Sequence, residues 1–323
     1  MMPRTSDLEA PKYTGRAFVV VTTFERLKKF DVEAFHAVVV DESGMLRGAA
    51  CARNMRGVVA PYRLALTATP CAASADDIVQ HAEFLGIPMD KATFFNKRHQ
   101  LRPEQTDAYM TFLLGWTCWL RSPADIGFPR DAARFVLPPL TITNVTIDAA
   151  TAVSVAAARA AAVVDIMADD GTAGPWVVWC RTGEESTLIT AAVPGAVELK
   201  GSLKPEARDA ILEAVVDGTP YAGEHIKVLV TKTSIAGLGL NMQRVNRMIF
   251  ASLSANYNTF FQSVRRSFRL GQCAPLVVYT VTTDAEANTH ETIMTAHTQG
   301  DAVWDELLKR MLKEHGTAGG STE

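Results

Sequence analysis

Two groups of side chains have the types and spacing for chemistry on an anion. The first lies in Gln262–Gln272, QSVRRSFRLGQ. Taken as a helix, this stretch puts Gln262, Arg266 and Arg269 at i, i+4 and i+7, on one face. Three long polar side chains are too costly to bury for packing alone, so the face suits a multiply charged anion. The alternative is a surface arginine cluster, solvated or paired with carboxylates, and Arg265, which lies off that face, reads that way. Gly271 fits a helix stop. The second group is Asp41–Glu42, directly after the apolar run Ala37–Val40. At the end of a buried strand, the first carboxylate can hold Mg²⁺ through water and the second can polarise an attacking water. Such a pair can also simply cap a following helix.

The elements that must position these groups follow from the apolar pattern. In the first half, 17–22, 37–40 and 63–68 are short apolar runs that read as buried strands. Phe24, Leu27 and Phe30 have helical spacing, and 76–86 reads as a helix with an acidic first turn and a glycine stop. His81 there reads as a partly exposed helix residue, since no partner His or Cys has metal spacing. Residues 111–121 are apolar all round, with Phe112, Trp116 and Trp119 at helical spacing. They suit either core packing or stacking on bases. An extended connector at 135–140, a strand at 141–148, an alanine-rich helix at 149–167 and a turn-rich boundary at 169–175 follow. Beyond that the chain alternates regularly. Strands are expected at 176–180, 196–199, 227–231, 247–251 and 276–281, with helices at 183–192, 204–216 and 256–270. A helical tail over 284–315 and a frayed end complete it. This alternation predicts a doubly wound parallel sheet.

The totals agree with two domains of ordinary size. The chain has 323 residues, 48% hydrophobic and 21% charged, with a formal net charge of −3. No global basic field draws it to nucleic acid, so any such contact must come from a local patch. The five cysteines are widely spaced, which argues against a disulfide framework or a zinc site. There is no apolar signal core at the start and no apolar run long enough to span a bilayer. A soluble, cytoplasmic protein without membrane contact is expected.

Several stretches together resemble the superfamily 2 helicases of the Swi/Snf class, in the style of their prokaryotic and bacteriophage branch. DESG at 41–44 resembles motif II, and LALTATP at 64–70 resembles motif III. WVVWCRTGEES resembles motif IV, TKTSIAGLGLNMQ motif V and QSVRRSFRLGQ motif VI. They occur in the family's order. The fourth position of motif II is Gly44, where many relatives have His. The resemblance implies an α/β fold of two RecA-like parallel-sheet lobes and an ATP-driven motor on duplex DNA. It implies Asp41 (Mg²⁺ through water), Glu42, Arg266 and Arg269 as catalytic residues. Gly237, Gly239, Asn241 and Gln262 join the two arginines in binding ATP. Thr67 and Thr69 couple the nucleotide site to DNA, and Thr231, Lys232 and Ser234 meet DNA phosphates.

Helicases of this class hold the phosphates of ATP in a Gly-x-Gly-Lys-Thr loop. No stretch of these 323 residues has that form. In the family the loop precedes the segment that resembles VVTTFERL. The first lobe is therefore expected to be incomplete at its N-terminus, with unpaired strand edges and a bare apolar face. The expected layout is a partial lobe 1 at 1–120, a connector at 121–150 and lobe 2 at 151–323. The function implied is the C-terminal part of an ATP-dependent DNA translocase that needs a separate phosphate-loop segment for turnover. The alternative is a non-catalytic remnant that binds DNA or a replication partner.

Overall fold

The protein is described from a computed structural model, which covers residues 19–30, 34–47, 55, 58–70, 75–118, 137–149, 152–236 and 241–298. The chain divides into two compact units, Met1–Thr117 and Cys118–Glu323.

In the first unit, β1 (Ala37–Val40) and β2 (Tyr62–Ala65) pair in parallel, with Ala37 opposite Tyr62 and Val40 opposite Ala65. Side chains alternate across a strand, and here the alternation divides a core face from an open one. Val38, Val40 and Ala65 pack with Leu46, Val58 and Phe84, whereas Val39, Tyr62 and Leu64 are exposed. Helix α1 (Ile78–Leu85) buries Ile78, His81, Ala82 and Phe84, and Gly86 stops it in the left-handed region at φ 74°. Arg63 of β2 donates to the Phe84 carbonyl at 2.8 Å, which satisfies a helix-end acceptor. Asp90 caps the short α2 (Lys91–Phe94) by accepting from the Ala92 N–H. Phe94 then meets Tyr109 and Phe112 of α3 (Thr106–Leu114), and Phe112 meets Trp116 edge-on. The half-buried aromatic residues at 112 and 116 thus pack against neighbouring rings.

The second unit is a six-stranded, all-parallel sheet in the order β3-β8-β7-β4-β6-β5. Its strands are β3 (Leu140–Ile147), β4 (Trp176–Cys180), β5 (Ala196–Leu199), β6 (Val228–Lys232), β7 (Arg247–Phe250) and β8 (Leu276–Thr283). The crossovers run through α4 (Val155–Asp170), α5 (Gly183–Ala192), α6 (Pro205–Asp217), the short α7 (Thr233–Ala236) and α8 (Tyr257–Val264). A further helix, α9, covers 287–298. The central strand β4 is buried at all five positions. One face carries Trp179, Leu229, Met248 and Val278, with Ile293 of α9. The other carries Val163 of α4, Ile189 of α5 and Val178. Both faces are covered, as a parallel sheet requires.

The expected α/β class and parallel sheets are present, and several boundaries differ. Residues 19–22 form no strand, and Val19 and Val21 are exposed. An apolar β-branched run needs a neighbouring strand to become one, and none pairs with it among the described residues. Only a single 3₁₀ turn, Leu27–Lys29, stands where 24–30 has helical spacing. Strand β2 ends at Ala65 because the next carbonyl, that of Leu66, is taken by Ser43. Helix α3 starts at Thr106 and stops before Gly115, so it shares only 111–114 with the stretch 111–121. Helix α4 starts only where Ser154 caps it, accepting from the Ala157 N–H at 3.1 Å. Strand β3 coincides with the strand expected at 141–148 and, within the stretch 121–150, is an edge strand of the second sheet, paired along its length with β8. Trp119 and most of the tail lie outside the described residues.

Candidate functional site

The first unit presents the carboxylate pair at the C-terminal end of β1, the edge where ligands bind in open parallel sheets. Asp41 is exposed, and its Oδ1 accepts from the Glu42 N–H at 3.0 Å. Glu42 sits at φ 51°, in the left-handed region. A non-glycine residue held there costs on the order of 1–3 kcal/mol and is over-represented at functional sites. A 3₁₀ turn follows, Ser43–Arg47. An exposed carboxylate at a strand end has the oxygen donors that suit Mg²⁺ through water. Among the described residues no group of three or more His, Cys, Asp or Glu is arranged to hold a metal ion. Any ion at Asp41 would therefore rest mainly on water and a bound phosphate.

The residues after β1 and β2 are tied together. Ser43 is fully buried, and both its N–H (2.8 Å) and its Oγ (3.0 Å) donate to the Leu66 carbonyl. A Cβ on Gly44 would stand 3.1 Å from the Thr69 carbonyl oxygen and 3.3 Å from Thr67 Oγ1. Glycine at that position is what lets the two segments approach. The Thr69 N–H donates to Thr67 Oγ1 at 3.0 Å, closing a small turn. Thr69 itself is buried. Thr67 and Thr69 therefore lie against DESG, with Ser43 making the polar link that a side chain at 44 does not.

In the second unit, the expected helix over 256–270 ends at Val264, with Arg265 as its C-cap. The reason is a tie to a segment distant in sequence. The Arg266 carbonyl accepts from the Met242 N–H at 2.8 Å, and Ser267 Oγ donates to the Met242 carbonyl at 2.8 Å. Those bonds divert the chain into tight turns. Gln262, Arg266 and Arg269 consequently do not share one helical face. Gln262 and Arg266 are half-buried and Arg269 is exposed. Gly271 marks no helix end, but its φ of 96° makes glycine necessary in the turn that follows. Arg265 lies over the rings of Phe261 and Phe268, at 4.9 and 5.1 Å.

The turn is fastened to the segment that follows β6. Arg269 donates to Asn241 Oδ1. Gln272 Nε2 donates to the Val245 carbonyl at 3.0 Å, and Gln243 Nε2 to the Leu270 carbonyl at 3.3 Å. Asn241 and Arg269 thus meet through their side chains, whereas Arg266 is tied to this segment through its backbone carbonyl. Gly237 and Gly239 lie outside the described residues. Ser267 and Gln272, both buried, have no spacing signal in the sequence that marks them as ties.

The three residues expected to meet DNA phosphates separate. Thr231 is fully buried, and its hydroxyl donates to the Leu199 carbonyl at 3.1 Å. It is occupied inside the sheet and is not placed to meet a phosphate. Lys232 ends β6 with its Nζ beside the start of α5, 3.7 Å from where a Cβ on Gly183 would stand. Ser234 is exposed on α7.

Behind α5 lies a buried ionic network. Glu185 Oε2 accepts from the N–H groups of Arg181 (2.9 Å) and Thr182 (3.1 Å) and from Ser252 Oγ (2.9 Å). Its Oε1 accepts from Arg159, which also meets Glu286 at 2.6 Å. Burial raises the Glu185 pKa, but these hydrogen bonds and the Arg159 charge outweigh it, so the carboxylate is held below its ordinary range. Burial likewise lowers that of Arg159, and Glu286 and Glu185 push it back above its usual value. The T-x-x-E spacing of Thr182 and Glu185, a capping box, is a signal from which part of this network could have been found in the sequence.

This second sheet and its fastened arginine turn agree with a sequence comparison. Residues 159–271 match the helicase conserved C-terminal domain. In the matched segment, α4 supplies Arg159 at one boundary and Gly271 stands at the other. No curated protein matches the chain. Among solved structures, the C-terminal part of the Fun30 ATPase domain is similar at 16% identity, with a TM-score of 0.36, over 47% of this chain and 54% of that one. The chain thus spans about half the length of that structure. No helix among the described residues is long and apolar enough to cross a membrane.

Proposed function

We propose that the chain is the C-terminal part of an ATP-dependent DNA motor of the Swi/Snf-like class, a DNA-dependent ATPase that translocates on duplex DNA. The observation that carries this reading is the Asn241–Arg269 and Met242–Arg266 fastening within the segment that matches the helicase C-terminal domain. It fixes the backbone at Arg266 and the side chain of Arg269, the two arginines assigned here to stabilising phosphate charge. Such arginines contribute on the order of a thousandfold or more in rate. Asp41 holds Mg²⁺ through water and Glu42 orients the attacking water. Gly237, Gly239 and Gln262 border the nucleotide. Lys232 and Ser234 meet DNA phosphates, so binding is strongly salt-dependent and weakly sequence-dependent. Thr67 and Thr69 pass the state of the nucleotide to the DNA contacts.

The phosphate loop comes from a separate helicase segment, since none of these 323 residues forms one. The test is steady-state ATP hydrolysis with and without duplex DNA, by the chain alone and co-expressed with the upstream reading frame. The expected result is DNA-stimulated turnover only in the co-expressed sample. Arg266→Ala or Arg269→Ala then abolishes turnover and leaves DNA affinity nearly intact. DNA binding without hydrolysis in both samples overturns the motor reading. The same missing loop then favours a non-catalytic remnant that binds DNA or a replication partner.

A further inference from the structure

We infer that Ser267 is a positioning residue for Arg269, its hydroxyl acting through the backbone of Met242 on the segment that carries Asn241. The inference rests on the proposed role of Arg266 and Arg269 at phosphate, and it adds a buried residue that sets where the second of them stands.

Ser267 lies in the chain between the two arginines and is fully buried, as is Met242. A buried hydroxyl must find a partner or cost stability. Ser267 Oγ donates to the Met242 carbonyl at 2.8 Å, and the Met242 N–H donates to the Arg266 carbonyl at 2.8 Å. Met242 is thus held through both its backbone groups by two successive residues of the arginine turn. One such bond fixes a distance and leaves a pivot, whereas two also fix orientation. The Met242 carbonyl accepts in addition from the Val245 N–H at 2.9 Å, so the hydroxyl grips a closed turn, 242–245. On its other side, the Ser267 carbonyl accepts from the Arg269 N–H at 2.9 Å. Ser267 therefore joins the segment of Asn241 to the backbone of Arg269. The side chains of those two residues meet, with Arg269 donating to Asn241 Oδ1.

That meeting needs a fixed backbone. Asn241 and Arg269 are exposed, so water competes for their hydrogen bond. The bond persists where the two residues are already held at the right separation. The other side-chain ties act elsewhere. Gln272 Nε2 holds the Val245 carbonyl, at the far end of the 242–245 turn, and Gln243 Nε2 holds the Leu270 carbonyl, past Arg269. Arg265 stacks on Phe261 and Phe268, which fastens the turn to α8 and not to 241–245. Without the hydroxyl, the bond from the Met242 N–H remains as a pivot, and Asn241 beside it swings away from Arg269. Alanine at 267 removes a single oxygen and leaves the Met242 carbonyl its bond from Val245, so the fold is kept. Threonine keeps the donor.

The experiment compares the full chain with Ser267→Ala and Ser267→Thr. Hydrogen exchange is read at the amides of Met242 and Arg269, which lie on either side of the hydroxyl's bond, and at β4 as an internal reference. The expected result is exchange about fivefold faster at both amides in S267A, the size of one lost hydrogen bond, with β4 unchanged and protection restored in S267T. Equal protection in S267A and wild type overturns the inference. Should S267T lose protection at β4 as well, its extra methyl does not fit and S267A decides alone. This readout needs no nucleotide, so it stands or falls separately from the motor reading. In the co-expressed sample, S267A is expected to lower kcat for ATP hydrolysis about fivefold, with KM for ATP and DNA affinity within about twofold. Faster exchange with unchanged kcat reduces Ser267 to a purely structural residue and overturns the positioning role. An absence of DNA-stimulated turnover in the co-expressed wild type overturns the motor reading, and exchange at Met242 and Arg269 then decides the inference.

Discussion

Strands β1 and β4 have similar apolar sequences, AVVV and WVVWC, and opposite surroundings. β4 sits in the middle of six parallel strands and is buried at every position. β1 has one described partner, and Val39 is 58% exposed. Composition alone does not decide burial. The number of neighbouring strands and the helices over each face decide it. The same contrast extends to how each unit holds its charged groups. The second unit encloses an Arg–Glu–Glu network beneath α5, whereas the first leaves Asp41 exposed at a strand end.

The largest effect should come from breaking that network. Arg159→Met leaves Glu185 buried without its cation. Removing one partner of a buried ion pair costs about 3–5 kcal/mol. Denaturant unfolding followed by hydrogen exchange should show the loss across the second unit, with the protection of β1 and β2 unchanged. If both units lose protection together, they do not unfold independently and the contrast between them fails.

A smaller effect separates the two strands directly. Val178 of β4 is fully buried. Burying a valine is worth roughly 1.5–3 kcal/mol, so Val178→Ala should destabilise the second unit by about 2 kcal/mol. Val39→Ala removes an exposed side chain and should stay within about 0.5 kcal/mol. Denaturation midpoints of the two variants measure this. A comparable loss from Val39→Ala would mean that another surface covers the open face of β1 and β2 in solution.

The same contrast explains what was legible in the sequence. In the second unit, 176–180, 183–192 and 196–199 coincide with β4, α5 and β5. Local pattern and tertiary surroundings agree there, because every strand has neighbours on both sides or a covered face. In the first unit, 19–22 has a strand's composition without a described partner, and β2 stops early because Ser43 takes the Leu66 carbonyl. At the site, Asp41, Glu42 and Arg269 were visible as residue types at suggestive spacing, and Asn241 only through the resemblance of its segment to motif V. The helix drawn through Gln262, Arg266 and Arg269 was not realised. Its end is set by Met242, some two dozen residues earlier in the chain, and no local periodicity reports such a bond. Thr231 shows the same limit: it is a polar residue whose partner, the Leu199 carbonyl, is fixed only by the fold.

The smallest expected effect is a pH dependence that belongs to each unit separately. Burial holds the His81 pKa below its ordinary value, and the Pro70 carbonyl and Asp77 oppose this only in part. In the unfolded chain the imidazole titrates near its ordinary 6.5. The unfolded state therefore takes up a proton first as pH falls, and stability rises with pH wherever the unfolded state binds more protons. The contribution is fully present above about pH 6.5 and is lost as pH falls from there toward the folded value. His290 in the second unit is also lowered by burial and adds a loss of the same sign in that unit. Glu185 and Glu286, held low, add theirs only in the more acidic carboxylate range. Between pH 7.5 and 5.5, site-resolved hydrogen exchange should show both units weakening. In H81L the pH dependence should flatten at β1, β2 and α1 and persist at β8. If H81L leaves the first unit's pH dependence unchanged, His81 is not the group that titrates there.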